Sequence, residues 1–148
     1  MPKSATYEAS ILALLLNAVG ISGIADNTAT SALTQLYVSL HTASPGGSGN
    51  QATNEISYTG YARVGVSRSS GSPFWTISGG SPASAQPNST ITFPNMTGGS
   101  GGTVTYIAIG SASTGGGEIF YFGPVTPNIV VSAGVSPQIS AASAVTES

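Results

Sequence analysis

Polar chemistry is concentrated in one stretch of the chain, "LYVSLHTASPGGSGNQATNEISYTGYARVGVSR", Leu36–Arg68, which holds the only histidine, His41, with Glu55, Arg63 and Arg68. An imidazole, a carboxylate and a guanidinium so close in sequence raise the question of an active site. A catalytic triad would require His41 to meet an activated serine and an orienting acid. The acids are Glu8, Asp26, Glu55, Glu118 and Glu147, and no Gly-x-Ser-x-Gly elbow accompanies them. A metal site with one histidine and no cysteine would rest largely on carboxylates, and no histidine-containing ligand spacing is present. A glycosidase needs two carboxyl groups facing across a cleft; Glu55 and Glu118 are available, but nothing marks them as a pair. The reading adopted is therefore structural, with no catalytic residue, no metal ligand and no cofactor. His41, Glu55 and Arg63 are expected to anchor a loop: His41 as a strand-end histidine bonded to a neighbouring loop, Glu55 as the partner of Arg63 across a hairpin. Such a pair contributes about 0–1 kcal/mol on a surface, and burial raises the stakes.

The glycine-rich run "GGSGGT", Gly98–Thr103, superficially resembles a phosphate cradle, but the segment that follows, "VTYIAIG", reads as a strand rather than a helix. No Gly-Lys-Ser/Thr occurs. Nucleotide binding is not expected.

Charge is scarce throughout. Of 148 residues only 3 are Lys or Arg and 5 are Asp or Glu, net −2, so 5% of the chain is charged against about 25% in an ordinary domain. Lys3, Arg63 and Arg68 cannot form the basic stripe that a phosphate backbone requires, so nucleic acid is not an expected partner. The surface must be made mainly of Ser, Thr, Asn, Gly and Ala, with little charge to keep copies apart. Without cysteine, disulfides and thiolate chemistry are excluded.

The elements that must position the polar residues are mostly strands. The opening "MPKSATYEASILALLLNAVGISGIAD" loosely mimics a secretory signal, but Glu8, Asn17 and Gly20 interrupt that pattern. It reads instead as a helix capped by Ser4 and ending near Gly20, with Tyr7, Ile11, Leu15 and Val19 on one side and Leu12 and Leu16 beside them. Its apolar run is too short to cross a membrane. Beyond it, turn residues punctuate β-branched and aromatic runs at Leu36–Thr42, Gly60–Ser67, Phe74–Ser78, Ser84–Gln86, Thr90–Phe93, Thr103–Gly110, Glu118–Val125, Ile129–Ser132 and Gln138–Ser143. The expected architecture is mainly β: a single domain over 1–148, with a helix at 4–20 and a β-sandwich or jelly roll of about eight strands at 34–148. Leu36, Val38 and Leu40 share one face of the first strand, and Tyr37, Ser39 and His41 the other. "EIFYFGPV" does not alternate, so both its faces are expected to be covered. The aromatics read as core, and Trp75 is the residue whose exposure would argue for sugar stacking.

One block of residues carries a resemblance. Leu36, Tyr37, Leu40, His41, Thr42, Pro45 and Gly46, then Asn54, Glu55, Tyr61, Ala62 and Arg63, reproduce the pattern "LY-x-x-LHT-x-x-PG", "NE" and "YAR". This resembles a family of small tailed-bacteriophage virion proteins, commonly labelled tail fibre proteins, some of which resemble jelly-roll cement proteins of phage heads. Weaker similarity continues through Trp75, "ITFPNMTGG", "VTYIAIGSASTGGGEIFYFGPV" and the terminal β-rich segment. Ser44 stands where the family pattern suggests an acid.

The resemblance implies a structural protein, not an enzyme. The expectation is a capsid cement or decoration protein on the outer surface of the virion. It would bind the major capsid protein as a homo-oligomer, dimer or trimer, with no nucleic acid or membrane partner. The alternative is a tail fibre or receptor-binding module that recognises host glycans.

Overall fold

The computed structural model describes residues 3–21, 24–25 and 32–148; Gly23 and Asp26 lie outside the described residues. The chain is mainly β, with antiparallel sheets of four, three and two strands and, among the described residues, one α-helix. This architecture is compatible with a β-sandwich. The chain forms two compact units whose segments alternate along the sequence. One holds the described residues up to Gln35 with Val66–Ile91 and Ser140–Ser148; the other holds Leu36–Gly65 and Thr92–Ile139.

In the first unit, helix α1 spans Ala5–Asn17. The Ser4 side chain accepts from the Tyr7 N–H, satisfying one of the donors a helix start leaves unpaired. The helix ends at Asn17, three residues before Gly20, and is capped by Ala18 in the left-handed conformation (φ 56°), with the Val19 N–H donating to Ala13 O at 3.1 Å. α1 has no basic residue in its last turn. Arg68 supplies one from a distant segment, donating to Leu15 O (2.7 Å), Leu14 O (2.8 Å) and Leu33 O (3.0 Å). It thus satisfies two orphan carbonyls at the negative end of the helix dipole.

Of the expected apolar side, the helix buries Leu12 and Leu16 most deeply rather than the line of Tyr7, Ile11, Leu15 and Val19. Glu8, Leu12, Leu16 and Asn17 are buried, while Tyr7 and Val19 are exposed. The cause is polar: the Glu8 carboxylate accepts from Ser81 Oγ (3.2 Å) and the Ala83 N–H (3.1 Å), and the Asn17 amide donates to Trp75 O (2.8 Å). These bonds turn the helix onto a sheet of β3 (Trp75–Ser78), β4 (Ala83–Pro87) and β9 (Val145–Glu147), in the order β3-β4-β9. Strand β9 was not anticipated. The expected Gln138–Ser143 strand stops at Ile139 (β8, Gln138–Ile139), and a turn at Ser140–Ser143 leads into β9. Trp75 is buried against Phe74, so it offers no sugar-stacking face.

The second unit is built on a sheet ordered β2-β1-β6-β7, comprising β1 (Gln35–His41), β2 (Val64–Ser67), β6 (Gly102–Gly110) and β7 (Ile119–Val131); the chain leaves the unit along β2. Leu36, Val38 and Leu40 are buried, and so are Ser39 and His41 on the opposite face of β1. Tyr61 stacks on Phe93 and meets the edge of Tyr58. The short β5 (Ile91–Thr92) and β8 form a two-stranded pair.

Two expected strands, Glu118–Val125 and Ile129–Ser132, are one strand, β7. Its register breaks between Tyr106↔Pro124 and Val104↔Ile129, so residues 125–128 bulge outward. Pro124 and Pro127 are tolerated because β7 lies at the sheet edge. The expectation that both faces of "EIFYFGPV" are covered does not hold: Phe122, within it, is 42% exposed.

Removing the Arg68 clamp should destabilise the first unit. Arg68→Ala is expected to lower the unfolding free energy by about 2 kcal/mol, measured by urea denaturation, with far-UV circular dichroism showing reduced helix content.

Candidate functional site

The polar block of the second unit is built outward from β1. After His41 the chain makes a loop and returns antiparallel to β1, with the Thr42 N–H donating to Asn54 O and the Ile56 N–H to Leu40 O, both at 2.9 Å. Asn54 takes the reversal at φ 56°, a conformation Asn tolerates better than most residues. Within the loop Gly49 is required by space, since a Cβ there would lie 2.0 Å from Pro45 O. The loop has its own bonds: Asn54 Nδ2 to Ser44 O (2.9 Å), the Ala52 N–H to Asn50 Oδ1 (2.9 Å) and the Asn50 N–H to Thr53 Oγ1 (3.1 Å).

Glu55 and Arg63 lie just beyond the loop and form a bidentate pair: Arg63 Nε to Oε1 and Nη2 to Oε2, each 2.7 Å. The Arg63 side chain is 2% exposed and that of Glu55 16%. The other guanidinium donors reach Ala112 O (2.9 Å, Nη1) and Gly115 O (2.6 Å, Nη2), binding the 111–118 loop to the same point. The planar fork of arginine suits this, because one rigid group can serve a carboxylate and two carbonyls at once. Tyr61 Oη donates to Glu55 Oε1 (2.8 Å) while accepting the Leu40 N–H (3.1 Å). Burial, with the Glu55 carboxylate beside it, pushes the Tyr61 phenol far up, and the bonds to Glu55 raise Arg63 further above its ordinary value. The pair does not bridge two strands of a hairpin, as the sequence suggested: Gly60–Arg63 lies in the turn and extended segment before β2, which begins at Val64.

His41 is fully buried. Its Nδ1 lies 2.8 Å from Thr53 O, which can only accept, so Nδ1 carries the proton and donates. Nε2 then accepts from Ser39 Oγ at 2.9 Å. Burial is the main influence on the imidazole and lowers its pKa; the bond to Thr53 O and the nearby Glu55 charge oppose this, and Arg63 adds to the lowering. A serine and a histidine are therefore adjacent, but both are closed off from solvent. The imidazole is oriented by a carbonyl rather than a carboxylate.

Sequence reasoning missed Gln51, which is also fully buried. Its Nε2 donates to Tyr37 O (3.0 Å), its Oε1 accepts from the Ala112 N–H (2.9 Å), and its N–H donates to Gly117 O (2.9 Å). A Cβ at Gly110 or Gly117 would come within 2.4 Å of its amide. Those glycines, far away in sequence, were the available signal. Among the remaining acids Glu118 is exposed at the entrance to β7, Glu8 is committed within the helix unit, and Glu147 pairs with Lys3. No group of three His, Cys, Asp or Glu suited to a metal ion occurs among the described residues. The glycine run at Gly98–Thr103 leads directly into strand β6, with Gly101 at φ 64° and its Cβ position blocked by Val131 O.

A mainly β chain whose few charges hold its own loops has the physical make-up of a structural subunit. The comparisons agree: a family model described as "Podophage GP4 fiber I protein gp80" matches residues 12–146. The chain belongs to this family of phage structural fibre proteins, and thus among the proteins of the virion. No curated protein matches the sequence.

Two outcomes follow from the geometry. Arg63→Met leaves a largely buried carboxylate without its partner, and is expected to lower stability by about 3 kcal/mol in chemical denaturation. His41 has a folded pKa below its unfolded value of about 6.5, so the unfolded chain binds more protons as the medium acidifies. Its contribution is complete above that value and is lost as pH falls through it toward the folded pKa. Thermal melts from pH 7.5 downward should show the wild type losing stability where His41→Gln, already weaker at pH 7.5, shows a flatter profile.

Proposed function

We propose that this chain is a non-catalytic assembly subunit of the phage fibre, docking onto other virion proteins through a neutral surface. The observation that carries the reading is that all three Lys and Arg residues are engaged internally, in a chain that belongs to a fibre protein family. Lys3 pairs with Glu147, Arg63 with Glu55, and Arg68 holds the carbonyls at the end of α1. This leaves little positive charge for a phosphate backbone, which supports the absence of a nucleic-acid partner. Among the described residues no helix is long and apolar enough to cross a membrane.

The absence of catalysis is supported by saturation. Glu55 accepts three hydrogen bonds, Arg63 makes four, and both ring nitrogens of His41 are occupied. A general base or oxyanion donor needs a free position facing a substrate.

A second reading is a capsid cement: a homo-oligomer on the outer capsid surface that straddles neighbouring major capsid subunits. The same neutral surface supports it, because bridging gains strength from many modest contacts. A glycan-binding form of the fibre reading has lost its best residue with the burial of Trp75.

Attachment through neutral contacts should be insensitive to ionic strength. Raising NaCl from about 0.15 to about 1 M shortens the screening length from about 8 to 3 Å and is expected to leave the particle-bound fraction unchanged; release by salt overturns the reading. Quantitative mass spectrometry of purified particles separates fibre from cement. A small number of copies per particle is expected, and near-parity with the major capsid protein would select the cement.

A further inference from the structure

The loop between His41 and Glu55 is held to its unit by two buried side chains, and only one of them titrates. Gln51, within the loop, bonds to Tyr37 O and the Ala112 N–H, and an amide carries no charge at any ordinary pH. The other hold comes from β1: His41 Nδ1 donates to Thr53 O at 2.8 Å, and Nε2 accepts from Ser39 Oγ at 2.9 Å. The chain has no second histidine, so this is the one side chain whose ordinary pKa lies between pH 5 and 8. Among the described residues, the ionisable groups around it are Glu55, its antiparallel bridge partner, with the Arg63 guanidinium and Tyr61 phenol bound to that carboxylate, and Tyr106, opposite it on β6. Protonating Nε2 breaks no hydrogen bond, since the Ser39 hydroxyl rotates and accepts. It does add a second cation beside Arg63, where the one carboxylate already receives three hydrogen bonds. A buried imidazolium without its own counter-charge gains by reaching water. On the β1 side the way is closed, because pairing to β6 is continuous from Tyr37 to His41. On the loop side the imidazole meets Thr53, a half-buried residue between exposed Ala52 and Asn54.

We propose that His41 is an acid-released latch: neutral, it holds the 43–54 loop against β1, and once protonated it frees the Thr53 end of that loop while the sheet behind it stays folded. The direction follows from burial. In the closed loop the imidazole binds its proton less readily than an ordinary histidine, chiefly because burial disfavours the charge; the Thr53 O bond and Glu55 oppose this, and Arg63 reinforces it. In the open loop the ring is hydrated and its pKa returns to about 6.5. The open form therefore binds the proton more tightly. The latch is at full strength above about pH 6.5, and from there down to the closed-state pKa the ratio of open to closed loops rises about tenfold per pH unit. The opening is local in its cost. It breaks the His41–Thr53 bond and the two bonds from Thr42 to Asn54 O. The bonds of Arg63 to Glu55, Ala112 O and Gly115 O include no residue of the loop and persist, and Gln51 remains as the tether from which the freed end moves. Acid thus reshapes one loop on a subunit whose strands stay paired.

A single histidine and no cysteine permit a direct test with the full-length protein. The imidazole C–H resonances give one NMR titration curve. A nitroxide at Ala52→Cys, an exposed loop position, reports loop motion by electron paramagnetic resonance, and one at Thr103→Cys, exposed on β6, is the control. As pH falls from about 7.5 to about 5, the imidazole titration and the mobilisation of the Ala52→Cys label are expected to share one midpoint below about 6.5, with the Thr103→Cys label and the far-UV circular dichroism unchanged. In His41→Gln, neutral throughout, the Ala52→Cys label should show no pH step; if that variant does not fold, the agreement of the two midpoints with His41 in place decides. The proposal is overturned by an imidazole that titrates while the loop label stays unchanged, by a loop that mobilises while the imidazole is still neutral, by loss of the sheet signal in the same step, or by a pH step retained in His41→Gln. None of these readouts involves salt-resistant attachment or copy number, so the latch and the assembly role fail separately.

Discussion

The bidentate pair between Glu55 and Arg63 is the interaction on which the second unit depends. One guanidinium joins the end of the 43–54 loop to the 111–118 loop, and one carboxylate receives that guanidinium together with the Tyr61 hydroxyl. Because the arginine side chain is almost wholly buried, its charge must be matched where it sits, and the pair is far more constrained than a surface salt bridge. Gln51 repeats the device in neutral form, with a buried amide bonded to β1 and to the 111–118 loop. The glycine-rich tips are held at their bases by these groups, and Gly110 and Gly117 leave the space that the Gln51 amide fills.

The same economy governs the first unit. Glu8 receives the Ser81 hydroxyl and the Ala83 N–H, and Arg68 closes the end of the helix on which Glu8 stands. A chain with so few charges uses them where a buried polar group would otherwise lack a partner. Its exterior is consequently neutral, and neutral surfaces associate by shape, apolar area and backbone pairing.

Legibility in the sequence followed the range of each interaction. The Ser4 cap, the helix after it and the positions of most strands depend on neighbours within a few residues, and their signals are local. The sequence reads as two strands, Glu118–Val125 and Ile129–Ser132, where the structure has one; the placement of β7 at a sheet edge, which tolerates Pro124 and Pro127, is not written in the local pattern. Glu8 read only as a misfit in a signal-like basic region, because its partners lie more than seventy residues away. Gln51 carried no local signal, since its acceptors and donor belong to β1 and to a loop sixty residues on. His41, Glu55 and Arg63 stood out by rarity and by the family pattern around them, while their roles as donors and acceptors required the fold.

By itself, then, the sequence determined the mainly β class, the capped N-terminal helix, the poverty of charge and the family, because periodicity, composition and motif are properties of short stretches. Only the tertiary structure decided which helix face is buried, which loops Arg63 joins, that Arg68 caps the helix, that Trp75 is hidden and that β7 lies at the end of its sheet. Each of these depends on which distant segment supplies the partner for a hydrogen-bonding or apolar group, and that is set by the packing of the whole unit.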